Sequence, residues 1–224
     1  MTIAQQPARR AFDLALSDRD VDLIETLTRR LRVLTLCQVA RTWWPGADQP
    51  IAAARHRAGQ LQQAGYLAVF IAMAHPEIPL TSPVISWAPG HPMPDCGTAS
   101  HRLRSRWGQH AVATHCVFAT SRAGSQFGGY GGRRPRETEE THDIHLAQVY
   151  LLLKKQNPEA ARFWVSEEAI RRRRKRQKEK LPDALIEAPN SHRVVEFGGA
   201  YSKAKLTMFH RYCAEELQIP YEVW

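Results

Sequence analysis

Apolar positions along this chain keep a steady helical period at both ends and lose it in the middle. From Asp18 onward, Val21, Ile24, Leu27 and Leu31 recur at three- and four-residue spacing, with Asp18 or Asp20 as a start signal. A second short helix is expected from Thr35, carrying Leu36, Val39, Ala40 and Trp43 before Pro45-Gly46 stops it. Asp48 then caps a third helix, with Pro50 in its first turn and Ile51, Ala54, Ala58 and Leu61 on its buried stripe. Gly65 ends that helix, and Tyr66-Leu67-Ala68-Val69-Phe70 reads as a strand.

The pattern loosens after Ala72. Val84-Ile85-Ser86-Trp87 is expected as a returning strand beside the first one, and Ala111 to Ala119 alternates as a strand does. Gly124 to Gly132 reads as a flexible, glycine-rich loop, without the Gly-Lys-Ser/Thr ending of a phosphate-binding loop. From Thr138 regularity returns: Leu146, Val149, Tyr150 and Leu153 form an amphipathic stripe that stops before Asn157-Pro158. Phe163-Trp164-Val165 is expected as a strand, and Ser166-Glu167-Glu168 as a helix start.

Residues 181–224 predict strand, strand, helix, strand. Ala184-Leu185-Ile186 and Arg193-Val194-Val195-Glu196-Phe197 flank a turn cluster, so they pair as a hairpin. Ser202 caps a helix carrying Leu206, Phe209, Cys213 and Leu217, and Ile219 to Trp224 forms the last strand. Alternate strand residues share a face, so Asp183 and Glu196 converge if the hairpin register allows. Carboxylates on apolar strands are costly unless paired or coordinated, and a convergent pair suits a hard cation such as Mg²⁺.

The fold class is therefore α+β, with two folded parts. Three helices, a tight turn between the second and third, and a following β element predict a winged helix-turn-helix over residues 18–90, behind a disordered arm over 1–17. Residues 91–136 are expected as a loop-rich joining segment, and 137–224 as an α/β sandwich. The polar face of the third helix gathers Gln49, Arg55, His56, Arg57, Gln60 and Gln63 among alanines. Arg and Gln suit base edges, and small neighbours let a helix approach a major groove closely.

Charge sharpens this picture. The chain carries +9, of which residues 171–180 hold +7 through Arg171, Arg172, Arg173, Arg174, Lys175, Arg176, Lys178 and Lys180 against Glu179. So local a positive field attracts phosphate backbones by counterion release; as a helix end it also complements the dipole. No apolar run approaches the roughly 20 residues that span a bilayer, so no membrane partner is expected. Cys37, Cys96, Cys116 and Cys213 lack paired spacing, the pattern of reduced thiols and a cytoplasmic protein. His91, Asp95, Cys96 and His101, like His110, His115 and Cys116, do not match a structural zinc spacing and are expected as loop hydrogen-bonders and core thiols.

Pro182-Asp183, a gap and Glu196 on a second strand resemble the PD-(D/E)XK arrangement of restriction-endonuclease-like nucleases. In that pattern the carboxylates hold the metal and a lysine two residues after the Glu orients water and stabilises charge; here Gly198 stands at that place. The resemblance implies Asp183 and Glu196 as catalytic and metal-holding residues, Lys203 or Lys205 as a migrated lysine, and Glu139 or Glu140 as a third metal ligand from the preceding helix. A His-Asp-rich helix, a Trp-containing strand, a charged stretch, Pro-Asp and a Glu strand behind a winged helix are together similar to the plasmid replication-relaxation family of mobile elements.

Three functions are compatible with this reading. One is a DNA-binding accessory or regulatory protein, with the winged helix and the basic stretch on duplex DNA and a degenerate nuclease-like domain. Another is an active Mg²⁺-dependent endonuclease using Asp183, Glu196 and Lys203 or Lys205. The last is an adaptor that brings a relaxase, replication or defence protein to DNA. A homodimer is compatible with each.

Overall fold

The computed structural model describes residues 14–173, 181–189 and 191–224. In chain order it holds α1 (Asp18–Glu25), β1 (Leu34–Thr35), α2 (Leu36–Trp43), α3 (Pro50–Gln63), β2 (Leu67–Ala74), β3 (Ile85–Trp87), α4 (Cys96–Ser105) and β4 (Val112–Ala119). There follow α5 (Ser121–Phe127), α6 (Glu137–Gln156), α7 (Pro158–Ala161), β5 (Trp164–Ser166), α8 (Glu167–Arg173), β6 (Ala184–Ala188), β7 (Ser191–Glu196), α9 (Lys203–Arg211) and β8 (Tyr221–Val223). The chain is α+β, as its pattern predicts.

Local chemistry starts most of these helices. Ser17 and Asp20 form a reciprocal capping box on α1, as Thr35 and Gln38 do on α2. Pro50 opens α3 in the position where a missing N–H costs nothing, although Gln49, not Asp48, is its cap and makes no side-chain bond. Gly65 leaves α3 at φ +78°, a conformation that favours glycine. Leu23, Ile24, Leu27, Val39, Ala54, Ala58 and Leu61 bury the inner faces of these helices in one core.

Two sheets organise the rest. The first runs β1-β4-β2, all antiparallel, with Val69 opposite Val117 and Leu34 on the other side of Val117. The second runs β3-β8-β7-β6-β5, antiparallel except for the parallel β7–β8 pair. Val84–Trp87 is thus not the partner of β2: Ile85 to Trp87 pair with Val223 to Tyr221, and β4 takes the expected place. Sheet membership consequently crosses the expected boundary at residue 90, since β3 and α4 pack with β8 and α9, while β4 completes the N-terminal sheet.

The glycine-rich segment is also different from its expectation. Ser121–Phe127 is helical, and residues 129–132 lie directly on the chain: Tyr130 N donates to Thr28 O and Gly132 N to Ala119 O. A methyl at Gly129 would stand 2.4 Å from Thr28 O, and one at Gly131 would stand 2.2 Å from Thr120 O. These glycines permit close backbone approach rather than motion. The expected arm of residues 1–17 falls largely outside the described residues; the part that is described ends in Ser17, the cap of α1.

Candidate functional site

The hairpin register decides the centre of the site. Ala184 lies opposite Val195, which sets Asp183 opposite Glu196, and Asp183 N donates to Glu196 Oε2 at 3.3 Å. Asp183 Oδ2 in turn accepts from Phe197 N at 2.7 Å, so the two carboxylates tie the start of β6 to the end of β7. Glu196 is 2 % exposed, and its Oε1 accepts from the Tyr201 hydroxyl at 2.6 Å. Burial, with Glu196 and Asp183 close by, pushes the Tyr201 hydroxyl far up, so it stays a donor.

Helix α6 adds a cation. His142 Nε2 donates to Asp183 Oδ2 at 3.0 Å, and its Nδ1 lies 3.4 Å from Asp143 Oδ1. Burial opposes the imidazolium, but the Asp183 charge and the bonds to Asp143 and Asp183 prevail and hold its pKa well above 6.5. Such a group stabilises the fold fully below its unfolded pKa, and the contribution disappears as pH rises through the folded value. We therefore expect denaturant titrations of the wild type and His142→Gln to differ most near pH 6 and to converge as pH is raised above neutrality.

The two lysines part company. Lys205 Nζ sits 3.4 Å from the centroid of the Tyr201 ring, one residue removed from Glu196 through the Tyr201 hydroxyl. Lys203 lies within electrostatic reach of Asp95, the cap of α4. Gly198, where the motif has lysine, is crowded: an added Cβ would meet Val223 Cγ1 at 2.8 Å and Leu103 Cδ1 at 2.9 Å, so those side chains would have to shift.

Glu140 does not join the carboxylates. It is 1 % exposed, accepts from Met73 N at 2.9 Å and pairs with Arg134, which also donates to Ile71 O. Residues two apart on a helix face different ways, so with His142 toward Asp183, Glu140 turns to the outer edge of β2 and covers it. Glu139 pairs with Arg32 and Arg133. Among the described residues no group of three His, Cys, Asp or Glu side chains is placed to hold a metal ion.

Asp183 and His142 lie on the wall of a cleft of about 550 Å³ between the N-terminal helices and the second sheet. Residues 27–32 also line it, and 26–30 form a π-helical turn after α1 in which Leu31 N donates to Thr26 O. That turn carries Arg29 and Arg30 into the lining, where Arg32 bridges Glu139 and Asp143, each at 2.9 Å. Tyr130 stands beside them under the Arg172 guanidinium, 4.4 Å from its ring centroid.

The candidate DNA-contacting residues are sorted by their partners. Arg57 is committed to the fold: its Nε and Nη2 clamp Asp20 at 2.9 and 2.6 Å, and it also holds Ala15 O and Gln60. Asp20 is 1 % exposed, and although burial raises its pKa, the bonds from Arg57 and Ser17 win and hold it below 3.8. We expect Arg57→Gln to cost about 3 kcal/mol in a denaturant melt, because it strands a buried carboxylate. Gln60 lies close to His56, with 3.1 Å between their nitrogens, and Gln49 is exposed before α3. Ala52, Arg55, His56, Gln62 and Gln63 remain exposed on α3.

Arg171, Arg172 and Arg173 are exposed at the end of α8, within reach of Glu167, Glu168 and Glu187. Arg174, Lys175 and Arg176 lie outside the described residues. His142 and Tyr201 are the side chains at the carboxylate pair that the sequence motif does not mark; His142-Asp143 inside an acidic helix start is the available signal for the first, and none points to Tyr201.

Compared with known proteins, the chain matches no family model, and no curated protein or solved structure matches it significantly. Among the described residues no helix is long and apolar enough to cross a membrane.

Proposed function

We propose that the protein binds duplex DNA as an accessory or regulatory protein of a mobile element, and that its nuclease-like part serves as a platform and does not cut. The observation that supports this reading is the order α1, β1, α2, α3, β2 followed, after β3 and α4 of the other sheet, by β4, with β1, β4 and β2 in one antiparallel sheet, which is compatible with a winged helix-turn-helix. It leaves α3 with Arg55, His56, Gln62 and Gln63 beside small Ala52, a face suited to a major groove. The exposed arginines at the end of α8 supply phosphate contacts.

The second part is compatible with a restriction-endonuclease-like reading through the order α6, α7, β5, α8, β6, β7, α9, β8 and its parallel β7–β8 pair. Its carboxylates do not fit Mg²⁺ as they stand. Asp183 Oδ2 is taken by Phe197 N and the His142 cation, both Glu196 oxygens are bonded, Gly198 is crowded, and Glu140 serves β2. A charged imidazole at Asp183 already neutralises the carboxylate that a metal would need. The endonuclease reading keeps one supporting observation, the approach of Lys205 to Glu196 by way of Tyr201.

Fluorescence anisotropy on a set of labelled duplexes tests the groove assignment. Arg55→Ala is expected to flatten the preference among sequences, with up to about 3 kcal/mol of discrimination lost at the base it reads. Uniform weakening across all duplexes would assign Arg55 to the phosphates instead.

A further inference from the structure

A second, smaller cavity of about 120 Å³ lies where the segment leaving β2 meets the end of α4. Its lining includes His75, Glu77, Arg106 and Trp107. Two of its residues carry buried donors that find no protein acceptor, Arg106 Nε and Trp107 Nε1. Both side chains are fixed by packing. Arg106 stacks 4.7 Å over the Phe197 ring and donates from Nη2 to Trp224 O at 2.9 Å, while the Trp107 indole meets the edges of His75 and His145.

Arg106 is half-buried, its one acceptor given by the structure is Trp224 O, and burial pulls its pKa down to about 10. Glu77, the acid on the wall, is already engaged by Thr35 and Arg41. His75 Nδ1 is occupied by Gln109 O at 2.6 Å. Two donors of the lining residues are left without an acceptor, the Arg106 Nε–H and the Trp107 indole N–H, and one of them belongs to a cation. A buried N–H without an acceptor is costly, and a charge-assisted bond from the guanidinium to an oxyanion relieves that cost. At roughly 30 Å³ per water, the cavity has room for about four waters, or one small oxyanion with part of its hydration.

We propose that this cavity is a binding site for a small oxyanion, held by Arg106 Nε and Trp107 Nε1. Orthophosphate and sulfate have the matching chemistry, and the anion would brace the segment after β2 against α4. The site is separate from the cleft at Asp183 and does not rest on DNA binding.

Inorganic phosphate is the probe. The intact protein is titrated with phosphate against chloride at constant ionic strength, following both heat of binding and thermal midpoint. The expected result is a saturable response to phosphate that chloride does not reproduce. Trp107→Phe keeps the ring and removes the donor, and is expected to weaken phosphate binding at least about tenfold, as loss of a bond to a charged group does. Arg106→Lys serves as a second variant with its charge retained. A variant with Arg171, Arg172 and Arg173 changed to glutamine is expected to keep the response. Absence of a saturable wild-type response would overturn the proposal and leave a cavity filled by water alone. So would Trp107→Phe and Arg106→Lys behaving as the wild type, or loss of the response in the glutamine variant, which would place the phosphate on the basic stretch.

Discussion

Changing Arg171, Arg172 and Arg173 together to glutamine is expected to lower affinity for duplex DNA by about ten- to a hundredfold at 0.15 M salt. Each phosphate contact releases counterions, so the slope of log affinity against log salt should shrink by roughly 0.9 per arginine that touches a phosphate. The same arginines reach Glu167, Glu168 and Glu187 across exposed ion pairs. Exposed pairs contribute little to stability, so the fold should be nearly unaffected. The effect thus separates cleanly from unfolding. Anisotropy titrations at several salt concentrations measure both quantities. An unchanged slope would show that these residues are a solvated helix end and nothing more.

A large stability effect is expected at Gly131. Alanine there places a Cβ 2.2 Å from Thr120 O and 3.1 Å from Ala119 O, both backbone atoms of the turn between β4 and α5. Backbone cannot swing away as the end of a side chain can, so the loop or the turn must shift. Overpacking of this kind costs about 3 kcal/mol. Tyr130 and Gly131 line the cleft beside Arg172, so the shift should also reach the lining that they share with Asp183. Chemical denaturation of Gly131→Ala measures the cost. A change under about 0.5 kcal/mol would mean that the segment yields freely, as a loose loop would.

These two cases show what a linear sequence discloses and what it hides. Helix starts are local events, so Thr35 with Gln38, Pro50 and Ser202 could be read from spacing alone. The opposition of Asp183 and Glu196 was legible as well, because a hairpin keeps both partners within one short segment. Misreadings arose wherever the deciding partner is distant. Val84 to Trp87 has the composition of a strand, but nothing in those four residues says that β8 and not β2 is the neighbour.

Arg57 belongs by periodicity to the polar face of α3, yet Asp20, thirty-seven positions away, claims it. Glu140 follows the same logic: the nuclease resemblance implies a metal ligand, while its actual partners are the edge of β2 and Arg134. Glycine is ambiguous in principle, since the absence of a Cβ permits either freedom or close contact. At residues 129–132 it serves contact. The charged His142 escaped notice because its importance depends on Asp183, forty-one residues later.

The difference between a cutting and a non-cutting site therefore lies in contacts. A sequence with Asp183, Glu196 and two following lysines offers every component of a metal-dependent nuclease except the residue at Gly198. Folded, Lys203 lies within electrostatic reach of Asp95, Glu140 covers a strand edge, and His142 sits on the Asp183 carboxylate. The proposed DNA binding rests instead on α3 and on the exposed arginines at the end of α8.

The most direct test is one plasmid under two conditions. Supercoiled DNA is incubated with wild type and with Glu196→Ala, in EDTA for a gel shift and in Mg²⁺ or Mn²⁺ for cleavage. The account predicts a salt-sensitive shift by both proteins and intact supercoils throughout. Nicking or linearisation by the wild type that Glu196→Ala abolishes would contradict it, and so would failure of the wild type to retain DNA at low salt.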